Sequence, residues 1–223
     1  MQTVGLVSWE VGTGQNTVAV NLAIGLAQQD KRVIVLNLNS NPRIYEWLQE
    51  SSSEECFSFN QTYSSGFGVD FIYPDAIKDL ELEKLNYDYA IINIGGDEKD
   101  FCKQGLAFCD FIIACTRLQS PDECSRLLEL QSKIKEYGPN DQGFNLILPL
   151  QVHSGEWKTN SQRLFELAEA FGEEKLADFL PHCERIHDLF IQKKSVWMLS
   201  QPAIVDAFNR LLKRIEQLHQ KHI

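Results

Sequence analysis

The sequence has no apolar run that approaches the roughly 20 residues of a membrane-spanning helix. It has no Cys-x-x-Cys pair either, and its scattered cysteines outline neither a disulfide framework nor a zinc site. The first residues lead into a strand-like segment without the charged and apolar regions of a signal peptide. We therefore expect a cytoplasmic protein that has no membrane span and no bound metal. The cysteines are Cys56, Cys102, Cys109, Cys115, Cys124 and Cys183.

Positive charge is scarce in this chain. There are 21 Lys and Arg residues against 31 Asp and Glu residues, which gives a formal net charge of −10. Nucleic-acid binding without sequence preference depends on clustered Lys and Arg, so we do not expect nucleic acid as a partner. The final helical pattern has one apolar face, formed by Leu211, Leu212, Ile215 and Leu218. We expect that face to pack on the protein; contact of the basic segment 185–223 with a membrane or with nucleic acid is the alternative.

Hydrophobic residues make up 43% of the 223 residues, which is enough for one large core. The apolar runs are continuous rather than alternating, which is typical of buried parallel strands. These runs are residues 3–8, 33–38, 89–94, 110–115 and 144–150. Helical patterns lie near residues 17–29, 42–50, 99–107, 121–137, 159–171, 185–192 and 202–220. The alternation predicts a single doubly wound α/β domain over residues 1–223, with a mostly parallel sheet flanked by helices.

A glycine-containing loop connects the first predicted strand to the first predicted helix. Residues 8–17 read Ser-Trp-Glu-Val-Gly-Thr-Gly-Gln-Asn-Thr, and a glycine-rich loop between a strand and a helix is the context of a phosphate-binding loop. A Gly-x-Gly turn also occurs in doubly wound proteins that bind nothing, which is the structural alternative. The candidate site residues, which would form a vestigial phosphate loop, are Gly12, Thr13, Gly14, Gln15, Asn16 and Thr17.

Together with the helix that follows it, this loop resembles that of the ParA/MinD family of deviant Walker A P-loop ATPases, which reads Lys-Gly-Gly-x-Gly-Lys-Thr-Thr. In that register Glu10 stands where the family has its signature lysine, which acts across a dimer held together by ATP and Mg²⁺. Gln15 stands at the P-loop lysine, and Asn16 stands at the hydroxyl residue that binds Mg²⁺. Gly12 and Gly14 are retained. The resemblance implies a P-loop scaffold that has lost its charged and metal-binding side chains.

Two further segments resemble the strands that carry the acidic residues of the family. Residues 31–39 end in Asn37 and Asn39, at the two positions of an Asp-x-Asp motif. Residues 87–93 end in Asn93, at the Walker B aspartate. Asn keeps the size and the hydrogen-bonding capacity of Asp but carries no charge. The alternative interpretation is that these asparagines are ordinary turn and capping residues at strand ends.

The resemblance therefore implies a catalytically degenerate protein, a pseudo-ATPase with no catalytic residues and no required cofactor. Enzymes that transfer phosphoryl groups work almost entirely by positioning and electrostatic stabilisation, and the loss of one transition-state donor costs roughly 3–4 kcal/mol. Backbone N–H groups and the helix dipole still favour an anion by about 0.3–2 kcal/mol, so weak binding of ATP or ADP is compatible with this loop.

The family resemblance also implies a role as a scaffold, adaptor or regulatory partner in the positioning, partition or assembly of a bacterial cellular machine. Such machines include plasmid or chromosome partition systems, pili, flagella and secretion or envelope apparatus. The expected partners are proteins, among them an active ParA/MinD-like protein or a machine component, and a homodimer is also compatible with the resemblance. The alternative is an atypical active NTPase of the ParA/MinD type that binds ATP weakly and completes its site with a partner subunit.

The least family-like segment, residues 49–79, carries aromatic side chains among Ser, Gly and Asn residues. These aromatic residues are Phe57, Phe59, Tyr63, Phe67, Phe71 and Tyr73. They predict either a core that caps the edge of the sheet or a protein-docking surface, because aromatic residues are enriched at the centres of interfaces. Trp9, beside the loop, is expected to plug the former nucleotide pocket.

Overall fold

The computed structural model describes residues 1–39, 41–49, 56–57, 62–72, 81–95, 99–138 and 143–221. These residues form an α/β fold around an eight-stranded sheet. Its strands are β1 (Gln2–Ser8), β2 (Val33–Leu38), β3 (Cys56–Phe57), β4 (Thr62–Ser64), β5 (Val69–Ile72), β6 (Tyr89–Ile94), β7 (Phe111–Arg117) and β8 (Leu146–Leu150). Their order across the sheet is β3-β4-β5-β2-β6-β1-β7-β8.

Six neighbouring strands, from β5 to β8 in that order, are parallel. The short strands β3 and β4 pair antiparallel at one edge of the sheet. The expected α/β fold with a doubly wound, mostly parallel sheet is confirmed. The interpretation of the sequence missed β3, β4 and β5, which contain no continuous apolar run.

Helices cover both faces of the sheet. They are α1 (Gln15–Ala27), α2 (Arg43–Leu48), α3 (Lys99–Ala107), α4 (Glu123–Tyr137), α5 (Trp157–Phe171), α6 (Ile186–Ile191) and α7 (Pro202–Lys221). One apolar layer joins the sheet to α1, α2, α6 and α7, and the other joins it to α3, α4 and α5. All of the predicted helices are present, and their ends lie within two residues of the predicted ends.

Helix α1 is buried on nearly all sides, between the sheet and the last helices. Asn21 is fully buried in it, and its Oδ1 accepts a hydrogen bond of 2.8 Å from the backbone N–H of Val196. Trp197 Nε1 donates a hydrogen bond of 3.0 Å to the carbonyl of Asn21. One turn further along, Gly25 leaves room for the indole of Trp197. These contacts fix the turn at residues 196–198 against α1.

Helix α7 packs on the protein through its apolar face, as expected. Leu211, Leu212 and Ile215 are buried in the layer that contains α1. Two of its basic side chains are bonded within the chain: Arg210 Nε lies 2.8 Å from Asp178 Oδ2, and Arg214 Nη2 donates to the carbonyl of Glu174. Within the described part of the chain, none of the helices has the length and apolar character that crossing a bilayer requires.

The carboxyl ends of the parallel strands meet at one edge of the sheet, where open α/β sheets bind their ligands. Strand β1 leads there into the loop of residues 9–14 and then into α1. Strands β2 and β6 run side by side, so that Asn37 and Asn93 occupy paired positions near their ends. Strand β8 ends beside the loop and is followed by Gln151. This edge therefore collects the candidate site residues.

Candidate functional site

The loop between β1 and α1 has a backbone that requires glycine at two positions. Gly12 has φ 82° and Gly14 has φ 103°, both in the left-handed region that a residue with a Cβ atom rarely adopts. Gly14 is the N-cap residue of α1, and no side chain among the described residues caps this end of the helix. The first N–H groups of α1 are therefore available to an anion, as in a phosphate-binding loop.

Gln15, at the position of the P-loop lysine, is turned into the protein. Its side chain is only 5% exposed, and Nε2 donates hydrogen bonds to the carbonyls of Leu6, at 2.7 Å, and Ile94, at 3.0 Å. A glutamine amide has two N–H donors, and both are used here to join the ends of β1 and β6 beneath the loop. Gln15 consequently has no side-chain donor left for a phosphate.

Three of the family-derived asparagine positions form one hydrogen-bond network. Asn93 Nδ2 donates to Asn37 Oδ1, at 2.6 Å, and to Asn16 Oδ1, at 3.1 Å. Asn37 Nδ2 continues the network to the carbonyls of Asn39, at 3.2 Å, and Asn41, at 2.9 Å. Asn37 and Asn93 are fully buried. The structure thus brings together residues that lie far apart in the sequence, and their amides hydrogen-bond to one another.

This arrangement does not fit Mg²⁺. Protein-bound Mg²⁺ is held by one or two carboxylates, together with water and substrate phosphates. Asn16, Asn37 and Asn93 supply no carboxylate, and Asn93 Oδ1 is the single buried oxygen of this trio without a partner among the described residues. One neutral oxygen is a poor substitute for the missing charge. Across the described ranges, no group of three His, Cys, Asp or Glu residues is placed to hold a metal ion either.

Glu10, at the signature-lysine position, is paired within its own chain. Its carboxylate forms an ion pair with Arg126 of α4, and its other oxygen lies 3.7 Å from Arg117 Nη2 at the end of β7. The side chains are 27–39% exposed, so each pair contributes only about 0.2–1 kcal/mol. The negative charge expected beside the loop is therefore balanced by two guanidinium groups.

All of the predicted site residues border one cavity of about 450 Å³. Its wall also includes Arg43, His187 and Phe190. A second cavity of about 470 Å³ adjoins the first and has a mostly apolar wall. The residues that line both cavities are Gly14, Thr17, Gln151, Ile186 and His187.

The sequence interpretation missed Gln151. This residue has a positive φ of 56°, and its Nε2 donates to the carbonyls of Thr13, at 3.0 Å, and Gly12, at 3.3 Å. It directly follows β8, which was predicted from its apolar run. Because ligands bind at the carboxyl ends of parallel strands, Gln151 could have been recognised from the sequence as a candidate site residue. Gln151 thus bonds to the loop itself, and Gln15 bonds to the strand ends beneath it. Neither set of contacts needs a ligand.

The expectation for Trp9 was wrong. Trp9 does not border the cavity at the loop. It packs instead against the α3–α4 face, beside a cavity of about 180 Å³, with Lys133 Nζ 4.1 Å from its ring centroid. The reason is its apolar neighbourhood on that face, which includes Leu130 and Ile134 of α4.

Two aromatic residues of segment 49–79 belong to the core. Phe71 on β5 is 1% exposed, and Phe67 is partly buried against the same apolar layer. For these two residues the structure favours the core alternative over the docking surface. Phe59 and Tyr73 lie outside the described residues, as do the side chains of Phe57 and Tyr63.

No protein-family model matches the sequence, and no curated protein matches it. Solved structures do match over nearly the whole chain. Apo McdA from Cyanothece has a TM-score of 0.79 at 12% identity and covers 96% of this chain and 99% of its own. The MinC:MinD cell division protein complex from Aquifex aeolicus gives 0.73 at 12% identity, with 96% of each chain covered. A ParA family ATPase from Chlorobium tepidum gives 0.71 at 18% identity and covers 93% of this chain and 98% of its own. At these identities the likeness establishes the fold.

Proposed function

Starting from the fold that this chain shares with ParA- and MinD-type proteins, we propose that it is a pseudo-ATPase that acts through protein partners. In this role it is a scaffold, adaptor or regulatory partner in the positioning, partition or assembly of a cellular machine. The observation that carries the proposal is the uncharged, hydrogen-bonded amide network of Asn16, Asn37 and Asn93 at the positions of a metal site.

The network opposes metal binding energetically as well as chemically. To turn its side-chain oxygen toward Mg²⁺, Asn16 or Asn37 would break the hydrogen bond that it accepts from Asn93 Nδ2. Each buried polar group left without a partner costs about 1–3 kcal/mol. Asn93 is fully buried, so bulk solvent does not replace the lost bond. Neither Asn93 nor Asn16 gains the charge attraction that offsets this cost in a carboxylate site.

The same contacts support a partner-binding role that needs no nucleotide. Gln15 and Gln151 hold the loop by hydrogen bonds from inside the chain, so its position does not depend on a ligand contact. The MinD-like fold occurs in a complex with MinC. By analogy, the partner of this chain is a protein, either an active ParA/MinD-like protein or a component of the machine.

Phosphate release from Mg-ATP is the direct test. We expect the purified protein to match a blank, and we expect Gln15→Lys to remain inactive because the metal position would still lack its hydroxyl and its carboxylate. Mg²⁺-dependent release by the unmodified protein that disappears in Gln15→Ala would overturn the proposal. Release that begins only when a partner protein is added would favour the atypical NTPase instead.

A further inference from the structure

We infer that the cavity between α3 and α4 is a docking site for a partner-protein segment that presents one large apolar side chain flanked by carboxylates. The cavity measures about 180 Å³ and lies over the ends of β1 and β6, where Trp9 and Gly95 line it. This inference rests on the proposed partner-binding role and adds the chemistry of the partner. The site shares no residue with the amide network.

The wall of this cavity is apolar and preformed. The side chains that line it are mostly at most 8% exposed and belong to the apolar layer that contains α3 and α4, namely Val7, Ile94, Leu106, Leu130 and Ile134. A volume of about 180 Å³ is below the roughly 300–1,000 Å³ of small-molecule sites and is closer to the size of one large side chain. Because the core holds the wall in place, such an anchor gains burial without ordering its surroundings.

Two ammonium groups lie beside the cavity, each over an aromatic ring. Lys133 Nζ is 4.1 Å from the ring centroid of Trp9, and Lys103 Nζ is 4.6 Å from that of Tyr137. Trp9, Lys133 and Tyr137 all line the cavity. The side chain of Lys133 is 49% exposed, so the cavity opens to solvent. The rings hold the lysines in position, which lowers the cost of ordering them against a partner.

The lysines select carboxylates on the partner. No Asp or Glu lines the cavity among the described residues. Glu129 lies 3.6 Å from Lys133, one helical turn away on α4. Both side chains are about half exposed, and such surface pairs are weak, so a partner carboxylate can replace Glu129. Because the lysines lie on two different helices, a carboxylate on each side of the anchor can meet one of them.

The net charge of −10 does not oppose this assignment at short range. At physiological ionic strength, charges separated by more than roughly 8 Å are largely screened from one another. The two lysines beside the cavity therefore determine the attraction that a docked segment experiences, while the remaining acidic surface acts mainly on partners at a distance.

Fluorescence anisotropy with the labelled peptide Glu-Asp-Glu-Phe-Glu-Asp-Glu tests the inference. We expect saturable binding of one peptide per chain in the absence of nucleotide. Replacing Phe by Gly in the peptide should weaken binding roughly tenfold or more, because the anchor is lost. Replacing the acidic residues by Lys should weaken it to a similar extent, and added salt should weaken the acidic peptide. Equal binding of all three peptides, which carry the same label, would overturn the inference.

Leu130→Phe tests the anchor site, because the added ring fills the cavity from its wall. It should weaken the acidic peptide roughly tenfold or more. The matched control is Leu128→Phe, since Leu128 is 49% exposed on the same helix and does not line the cavity. Trp9→Ala, at a half-buried position, removes another part of the wall and should also weaken binding. Unchanged affinity in either of the two cavity variants, when circular dichroism shows it folded, would overturn the anchor assignment.

The double variant Lys103→Gln/Lys133→Gln tests the charges without affecting the core, because both side chains are exposed. It should weaken the acidic peptide roughly tenfold and leave unchanged the binding of a peptide with Gln in place of the acidic residues. Lys135→Gln is the control, since Lys135 is exposed on the same helix and does not line the cavity. Equal affinity of the double variant and the unmodified protein for the acidic peptide would overturn the choice of an acidic partner.

The outcomes separate this inference from the proposed function. If Mg-ATP is not hydrolysed and the acidic peptide also fails to bind the folded protein, the docking site is refuted and the proposed function stands. If Leu130→Phe changes the self-association of the protein in sedimentation while the peptide does not bind, the occupant is a second copy of the chain, which contradicts the inference. If the peptide binds as expected and Mg-ATP is hydrolysed, the docking site stands and the pseudo-ATPase proposal fails.

Discussion

At the scale of single residues, Asn93 connects the amide network to both neighbouring elements, α1 and β2. Asn93→Asp should destabilise the protein at pH 7.5 by about 3 kcal/mol, because a buried carboxylate would face Asn37 Oδ1 without a compensating cation among the described residues. Burial raises the pKa of such a carboxyl. Its cost is therefore absent below the unfolded-state pKa and grows as the pH rises through the folded-state pKa. Urea unfolding at pH 4 and pH 7.5 measures the difference.

The control for that substitution is Asn209→Asp on the exposed face of α7, which introduces the same charge in water. It should change stability little at either pH. A variant Asn93→Asp that equals the unmodified protein at pH 7.5, or that gains stability from Mg²⁺, would contradict the misfit of this site for the metal.

Glu123, at the start of α4, provides a second residue-scale prediction. Burial raises the pKa of its carboxyl to about 7 from 4.5, although the guanidinium groups of Arg117 and Arg163 oppose the shift. Because the folded-state pKa is the higher one, the stabilisation by the bound proton is complete below pH 4.5 and is lost as the pH rises through 7. Glu123→Gln has no carboxyl to titrate at this position. Its melting temperature, measured relative to that of the unmodified protein, should thus be roughly 2–4 °C more favourable at pH 8 than at pH 5.

Differential scanning calorimetry of Glu123→Gln and of the unmodified protein at both pH values gives this comparison. Glu136→Gln, on an exposed position of the same helix, is the control and should show no such dependence on pH. A constant difference between Glu123→Gln and the unmodified protein from pH 5 to pH 8 would show that Glu123 is not the titrating group.

The sequence identified the positions in the site but not the directions of their side chains. Alignment with the family motifs identified Asn16, Asn37 and Asn93 as site positions, and in the structure Asn93 is hydrogen-bonded to both of the others. The inward turn of Gln15 was not predictable, because an amide can donate equally well to a phosphate or to a carbonyl. Its acceptor on Ile94 lies 79 residues away, so only the folded sheet brings the two together.

At the scale of elements, the strands found from the sequence are those with continuous apolar runs. Strand β5 was missed because Asp70 interrupts its apolar residues Val69 and Phe71. In the folded protein, the polar Asp70 accepts a hydrogen bond of 2.7 Å at Oδ2 from the hydroxyl of Tyr87, while Phe71 packs in the core. Pairing with β2 then completes the strand. Neither the hydrogen bond nor the pairing is visible in the local pattern.

Helix α1 depends on a close approach at Gly25. A Cβ atom there would overlap Cζ2 of Trp197 and lie 2.9 Å from its Cε2. The indole cannot move freely, because its Nε1 is bonded to the carbonyl of Asn21. Gly25→Ala should therefore lower the free energy of unfolding by about 1–3 kcal/mol, even though alanine favours a helix by about 1 kcal/mol.

Chemical denaturation monitored by circular dichroism measures this effect. Gly155→Ala is the matched control, because a Cβ atom at Gly155 meets no other atom within 4 Å. If Gly25→Ala is as stable as the unmodified protein, the contact between α1 and the turn at 196–198 is looser than the structure indicates.

At the scale of the whole molecule, the loop is part of the sheet edge rather than a separate flexible segment. Gln15 ties it to β1 and β6, Gln151 ties it to the residues after β8, and Glu10 ties it to β7 and α4. These contacts need no ligand. In active ParA/MinD proteins the family resemblance implies a different arrangement, in which ATP and Mg²⁺ join two subunits and so control assembly.

The oligomeric state of this protein should consequently be independent of Mg-ATP. The sedimentation coefficient should be the same with Mg-ATP, with ATP and EDTA, and without nucleotide, whether the protein is a monomer or a dimer. Gln15→Lys should behave in the same way, because one lysine restores neither the hydroxyl missing at Asn16 nor the carboxylate missing at Asn93. A ligand present at 100 times its dissociation constant adds about 2.7 kcal/mol to stability, so melting curves under the same conditions would also report any binding. A shift from monomer to dimer on adding Mg-ATP, but not ATP with EDTA, would show that metal-bound nucleotide still controls assembly through this edge of the sheet.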